Sequence, residues 1–153
     1  MNAQLETFSA FRPMRHDDIE EVAAVERQIY PYPWTLGNFR DSLNAGYSCW
    51  VFEHNQRLIG YSVMMIAAGE AHLLNLGIAG EWQGQGLGRR FLEHILGLAR
   101  SYRVEAVFLE VRPSNVAARQ LYLTSGFRET AVRKKYYPAD DGREDAILME
   151  LSL

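Results

Sequence analysis

The chain has 153 residues, 48% of them apolar and 23% charged, the size and balance of one globular domain with a core of its own. Its net charge of -3 with interspersed signs gives no basic face, so nucleic acid is not expected as a direct partner. Cys49 is the lone cysteine, which excludes an intramolecular disulfide. His16, His54, His72 and His94 lack zinc-ligand spacing, so metal-free chemistry is expected, with these residues packed or at the surface.

Glu6, Arg12, Asp17 and Asp18 interrupt the N-terminal stretch, unlike a secretory leader. The longest apolar run, Tyr61 to Ala68, falls far short of the about 20 residues that span a bilayer. A soluble cytoplasmic protein, with residues 1–153 forming one domain and no membrane contact, is expected. The sequence predicts an opening strand over Phe8 to Met14, and Asp17 with Glu20 three residues later predicts a capping box for the next helix. In that helix Ile19, Val22, Ala23, Val25 and Ile29 fall on or near one face, and Pro31 and Pro33 end it. A second short helix is expected from Thr35. Two strands, Tyr47 to Glu53 and Arg57 to Ala68, flank His54-Asn55-Gln56, a polar connection suited to a hairpin.

A further strand, His72 to Ile78, leads into Gln83-Gly84-Gln85-Gly86-Leu87-Gly88. Beyond it, Leu87, Phe91, Ile95, Leu98 and Tyr102 recur at helical spacing. Ala106 to Val111 reads as a compact apolar strand and Asn115 to Ser125 as a helix that Gly126 ends. Phe127 to Tyr137 and Ala146 to about Leu151 read as the last strands. This order implies an α/β chain with a central mixed, mostly antiparallel sheet flanked by helices.

A phosphate group calls for converging backbone N–H groups and the positive end of a helix, and Gly84, Gly86 and Gly88 at a helix start allow that approach. A tight turn with nothing bound would use the same glycines. A P-loop would need Lys and then Ser or Thr after the last glycine, where Arg89 and Arg90 stand. A dinucleotide site would place its acid near Glu110, but the spacing is not G-x-G-x-x-G and too little chain follows for a second nucleotide-binding half.

The pattern Gln83-x-x-Gly86-x-Gly88 after Leu74-Asn75-Leu76-Gly77-Ile78 resembles the acetyl-coenzyme A site of the GNAT-type N-acetyltransferases. Asn115, Ala118, Leu121, Tyr122, Gly126 and Phe127 resemble that family's N-x-x-A-x-x-L-Y-x-x-x-G-F helix. Pro33-Trp34, Leu109-Glu110-Val111-Arg112, Ser114-Asn115 and the stretch from Tyr136-Tyr137-Pro138 to Ala146 narrow the likeness to a branch of the family. Its members acetylate the N-terminal alanine of the eighteenth small-subunit ribosomal protein. The resemblance implies a GNAT fold and acetyl-coenzyme A as cosubstrate, with no metal. It also implies transfer to a protein α-amine, the amine arriving on a ribosomal protein's N-terminal peptide.

Residue by residue, the resemblance implies that Gln83, Gly84, Gln85, Gly86, Leu87, Gly88 and Arg89 grip the pyrophosphate and that Asn115 meets the pantetheine arm. Asn115 also suits an N-cap. Leu76, Gly77 and Ile78 would hold the acetyl carbonyl through backbone N–H groups. Gly77 itself reads as a bulge, a close approach or a packing glycine. Glu110 is the lone acid in its apolar strand, where partial desolvation makes it a better proton acceptor, and it is the expected general base. An ion pair with Arg112, on the same strand face, or some other ion pair is the structural alternative.

Tyr122 is matched to proton donation toward the departing thiolate. From about pKa 10 to about 8.5 that step is uphill by about 2 kcal/mol, so a nearby positive charge is expected to help. Its alternative is a core tyrosine. Trp34, Tyr136 and Tyr137 are the expected substrate contacts. Tyr136, Tyr137 and Pro138 with Asp140, Asp141, Glu144 and Asp145 form an expected aromatic and acidic loop that would accept a basic peptide N-terminus or simply face water. Lys135 stands where the branch often has asparagine before the two tyrosines. Two other functions use the same cofactor residues: acetylation of a small amine or a lysine, and coenzyme A binding without turnover.

Overall fold

The computed structural model describes residues 9–153, so Phe8, at the start of the expected first strand, lies outside the described residues. That strand, β1 (Ser9–Pro13), precedes a turn of 3-10 helix (His16–Asp18), α1 (Ile19–Ile29) and α2 (Leu36–Asn44). β2 (Ser48–His54), β3 (Arg57–Ala67) and β4 (Glu70–Ile78) follow, and a second 3-10 turn (Gly80–Trp82) leads into α3 (Leu87–Ser101). β5 (Ala106–Val111), α4 (Val116–Thr124), β6 (Arg128–Ala139) and β7 (Gly142–Ser152) complete the order.

Local chemistry explains most of these boundaries. Asn55 and Gln56 hold φ of 51° and 65°, the left-handed pair that a two-residue hairpin needs to match strand twist. Thr35 Oγ1 accepts from the Asn38 amide at 3.1 Å while Asn38 Oδ1 accepts from the Thr35 amide at 2.8 Å, so α2 starts in a reciprocal cap. The capping box expected from Asp17 and Glu20 is not formed. Asp18 takes the position instead, accepting from the Arg15 amide at 2.7 Å and from both terminal nitrogens of Arg12 at 2.8 Å. A bidentate guanidinium is the stronger partner for a buried carboxylate, and it draws the acid away from a simple cap.

The sheet runs β1-β2-β3-β4-β5-β7-β6. Every pairing is antiparallel except β4 with β5. Ile19, Val22 and Ala23 of α1 and Phe39 of α2 pack with Val51, Tyr61 and Val63 on one face. Leu87, Phe91 and Ile95 of α3 and Tyr122 of α4 pack with Phe52, Ile59, Leu76 and Leu109 on the other. Alternation of side chains along the strands supplies both cores at once.

The stretch from Tyr136 to Asp145, expected as a loop, is the end of the β6–β7 hairpin. Tyr137 pairs with Glu144, Pro138 with Arg143 and Ala139 with Gly142. Lys134, Lys135 and Tyr136 face Asp145 alone across a register shift, and Lys135 takes up the extra chain at φ 51°. Asparagine enters that left-handed region more readily than lysine, which fits the asparagine that the resemblance leads one to expect there. Among the described residues, no helix is long and apolar enough to cross a membrane.

Candidate active site

β4 and β5 pair only from Glu70↔Ala106 to Leu73↔Leu109. Beyond Leu73, β4 keeps β3 as its neighbour, and beyond Leu109, β5 keeps β7. The two central strands therefore part inside the sheet and leave a cleft. Leu74 is the extra residue that starts the divergence, because Val63 pairs with Asn75 while Met64 pairs with Leu73. The bulge considered at Gly77 thus lies at Leu74. Gly77 pairs regularly with Tyr61, and a Cβ on it would collide with the Tyr61 ring and hydroxyl. Gly77 is a close-approach glycine.

The cleft opens at one end into a cavity of about 520 Å³ lined by Gln83, Gly84, Gly86, Leu87, Gly88 and Arg89, together with Ile78 and Asn115. Gly84 and Gly86 hold φ of 76° and 78°, and a Cβ on either would meet no atom within 4 Å. α3 starts at Gly86 without a side-chain cap. The first intrahelical bond reaches Gly86 O from the Arg90 amide, so the amides at the start of α3 keep their donors. An uncapped helix start behind open-faced glycines fits an anionic phosphate ligand. Gln83 turns its amide to Ile78 O at 2.9 Å, closing the turn on β4. Gln85 reaches Glu81 O at 3.4 Å and does not line the cavity. Arg89 is spent on Thr124 Oγ1 at 2.6 Å and Ser125 Oγ at 3.3 Å, tying α3 to α4.

At the other end lies a cavity of about 510 Å³ with two carboxylates in its lining, Glu26 and Glu110. Their surroundings are opposite. Glu110 is half-buried, and Arg133 Nη1 and His72 Nε2 each stand 4.0 Å from its Oε1. Among the described residues nothing donates a hydrogen bond to it, so its lone pairs are open to a ligand. Glu26 is 2% exposed and accepts from Tyr61 Oη at 2.6 Å, Asn75 Nδ2 at 3.1 Å and the Trp34 amide at 3.0 Å.

The ion pair between Glu110 and Arg112 considered from strand alternation does not form. Arg112 instead donates to Pro138 O at 2.7 Å and Glu144 Oε1 at 3.3 Å, with its guanidinium 4.8 Å from the Tyr32 ring centre and 4.4 Å from that of Tyr137. Planar guanidinium stacks on aromatic faces as readily as it bonds oxygen. Burial raises Glu144, but the Ser114 hydroxyl and amide and then Arg112 outweigh it and leave that carboxyl below its usual range. Tyr32 Oη donates to Asp140 Oδ1 at 2.5 Å, joining the α1–α2 connection to the hairpin tip.

Ile29, Tyr30, Leu76, Asn115, Ala118 and Tyr122 line both cavities, so the two are adjacent and share a wall. Burial first, and then Tyr30 and Tyr137, hold the Tyr122 hydroxyl above the usual phenol range. The cation expected beside Tyr122 is not among the groups that act on it. Burial first, and then Glu110, push Tyr137 up to about 12. Asn115 caps α4 by accepting from the Ala118 amide at 3.2 Å.

The Acetyltransferase (GNAT) family matches residues 15–127. The chain belongs to this family. It is 35% identical over 136 residues to the [ribosomal protein bS18]-alanine N-acetyltransferase of Escherichia coli K12, covering 89% of this chain and 92% of that relative. A putative enzyme of the same name from Bacillus subtilis is 32% identical over 151 residues, covering 97% of this chain and 99% of the relative. The crystal structure of the Escherichia coli ribosomal-protein-S18-alanine N-acetyltransferase superposes with a TM-score of 0.89 at 33% identity, over 94% of this chain and 93% of that one.

This GNAT chain is an N-acetyltransferase, its sheet is mixed and mostly antiparallel with flanking helices as expected, and enzymes of the family use acetyl-coenzyme A. Of the expected substrate contacts, Trp34 and Tyr137 line the carboxylate cavity and Tyr136 does not. Tyr136 is 39% exposed, meets the Tyr137 ring edge-on and carries the Arg133 guanidinium over its own ring. Glu26, Tyr30 and Asn75 were missed from sequence. The available signal was Glu26 itself, an acid at the i+7 position of the buried stripe Ile19, Val22, Ala23.

Proposed function

We propose that this chain transfers acetyl from acetyl-coenzyme A to the α-amine of a protein N-terminus, with the N-terminal alanine of ribosomal protein bS18 as substrate. The observation that carries this reading is Glu110, a half-buried carboxylate to which none of the described residues donates a hydrogen bond, facing a cavity that shares Tyr122 with the glycine-turn cavity. The names of relatives at 35% and 32% identity supply the choice of amine.

The glycine turn and the start of α3 receive the pyrophosphate, while Asn115 and the backbone of Leu76, Gly77 and Ile78 meet the pantetheine arm and acetyl carbonyl. Bound acetyl-coenzyme A supplies an acyl group activated as a thioester. An α-ammonium with pKa about 8 is roughly one-tenth free amine at neutral pH, and Glu110 accepts the proton that attack requires. Tyr122 holds a proton at the junction of the two cavities. The burial that raises its hydroxyl also raises a thiolate formed beside it, so burial does not in itself oppose transfer between them. Trp34 and Tyr137 wall the peptide.

The test is incubation with acetyl-coenzyme A and a synthetic peptide carrying the bS18 N-terminus, followed by fragment mass spectrometry. Acetyl on the alanine α-amine is expected. Acetyl found only on lysine or on small amines would overturn the choice of amine, and cofactor binding without any transfer would overturn the enzymatic reading.

A further inference from the structure

We infer that Glu26 is a positioning residue for the amine substrate: its carboxylate locks the Tyr30–Trp34 segment onto β4 by hydrogen bonding, not by its charge. This rests on the reading of the carboxylate cavity as the amine site.

The first observation is the contrast between the two acids of that cavity. Glu110 has free lone pairs, whereas both oxygens of Glu26 are engaged. Oε1 takes Tyr61 and Asn75, and Oε2 takes the Trp34 amide. A carboxylate so occupied is poorly placed to accept a further proton from substrate. No Lys, Arg or His among the described residues pairs with it. A carboxyl group this deeply buried needs donors in place of its water.

The second observation is what those donors belong to. Trp34 lies in the cavity wall after Pro31 and Pro33, in a stretch without helix or strand bonds of its own. Asn75 and Tyr61 belong to the β3–β4 ladder beside the bulge. Glu26 therefore joins this wall, at Trp34, to the strand expected to hold the acetyl group. Tyr30 makes a parallel tie, donating to Leu76 O at 2.6 Å. Ring contacts close the circuit, since Trp34 packs 5.2 Å from Phe39 and Phe39 lies edge-on 5.7 Å from Tyr61.

The third observation is the cost accepted to build it. Tyr61 crosses directly over Gly77, the one residue type that admits its ring there. Gly77 thus serves the Glu26 network as well as the acetyl strand.

Two conservative variants separate position from charge. Glu26→Gln removes the charge but can keep all three bonds. Its oxygen accepts from the Trp34 amide while its NH2 meets Tyr61 Oη and the Asn75 side-chain carbonyl, groups able to accept as well as donate. Glu26→Asp keeps the charge and draws the oxygens back by one carbon–carbon bond, about 1.5 Å. For Glu26→Asp we expect Trp34 amide hydrogen exchange to rise about tenfold, and the KM for the α-amine peptide to rise about five- to tenfold, the scale of one lost hydrogen bond. kcat should stay within about threefold and acetyl-coenzyme A affinity should be unchanged. Glu26→Gln should remain within about threefold of the parent chain in every measurement.

The reverse pattern, with Gln impaired and Asp not, would overturn the inference in favour of charge. Equal losses in peptide KM and cofactor affinity, or an unchanged Trp34 amide in Glu26→Asp, would reduce Glu26 to a fold-stabilising group. The exchange measurement uses no substrate, so it decides the inference even if the parent chain fails to acetylate the peptide, an outcome that would count only against the proposed amine.

Discussion

On the side of the cleft formed by the glycine turn, the groups facing the cavity come mainly from Gln83 to Arg89 and from the helix α4, whereas the opposite side draws Glu26, Trp34, Asn75, Glu110 and Tyr137 from segments far apart in the chain. The glycine side is built of backbone, with amides left uncapped at the start of α3. The carboxylate side is built of side chains held by one another: Arg112 by Glu144, Tyr32 by Asp140, Trp34 by Glu26. A backbone site tolerates little change at its own few residues and is indifferent to the rest. A side-chain site depends on partners contributed by many elements, so its specificity is set by how those elements are docked.

The largest expected effect separates the chemistry from both sides. Glu110→Gln should lower kcat for the peptide by about 10²- to 10⁴-fold, the usual contribution of a general base, while calorimetry finds acetyl-coenzyme A affinity unchanged. An unchanged turnover would remove Glu110 from the base role. Next, Gly86→Val forces a branched side chain into the left-handed region at a cost of about 1–2 kcal/mol or more, and places it in open space on the ligand's path. Cofactor affinity should fall about tenfold or more, with the fold intact by circular dichroism. If binding survives, the turn is not the phosphate site.

A smaller effect is expected on the carboxylate side. Arg112→Lys keeps one charge but loses the planar contacts with Tyr32 and Tyr137, so peptide KM should rise about three- to tenfold, in line with about 1 kcal/mol for such a contact, again without change in cofactor affinity. Equal changes in both would contradict the separation of the two sides.

The smallest effects concern pH. Tyr122 and Tyr137 both titrate above the ordinary phenol value of 10.0. Their protonated forms are therefore complete below that value and are lost only as pH rises through the folded values. Peptide kcat/KM should climb with free amine to a plateau above about pH 8, with no tyrosine-linked loss before about pH 10. At the acid end, hydrogen bonding to Arg12, against burial and helped by the Arg15 amide, lowers Asp18 from its ordinary 3.8. The stability it contributes is present above that value and disappears as pH falls through the lower folded value. Thermal melts of Asp18→Asn should therefore show a deficit at pH 7 that narrows below about pH 4; a deficit independent of pH would point to packing instead.

Much of the fold is legible in the order of residues. Leu87, Phe91 and Ile95 declare a helix by spacing, the strand Ala106–Val111 has the expected limits, and the hairpin expected around His54-Asn55-Gln56 turns at Asn55-Gln56, with His54 ending β2. The departures fall where distant groups compete. Asp18 left the expected cap to Asp17 and Glu20 unmade because Arg12 reached it from β1. The bulge lies at Leu74 because the splay between β4 and β5 begins there, while Gly77 is required by a ring from the neighbouring strand.

The amino-acid order was enough to specify the glycine turn, the helix it starts, the family and the position of Glu110, because each depends on local backbone geometry or on a motif of contiguous residues. Packing in three dimensions settled which acid stands with free lone pairs and which is consumed by donors, that Arg112 clamps the hairpin instead of pairing with Glu110, and that Tyr136 turns outward while Tyr137 turns in. Those outcomes depend on distances between segments separated by tens of residues. Hydrogen-bond and desolvation energies vary over angstroms that no one-dimensional spacing encodes.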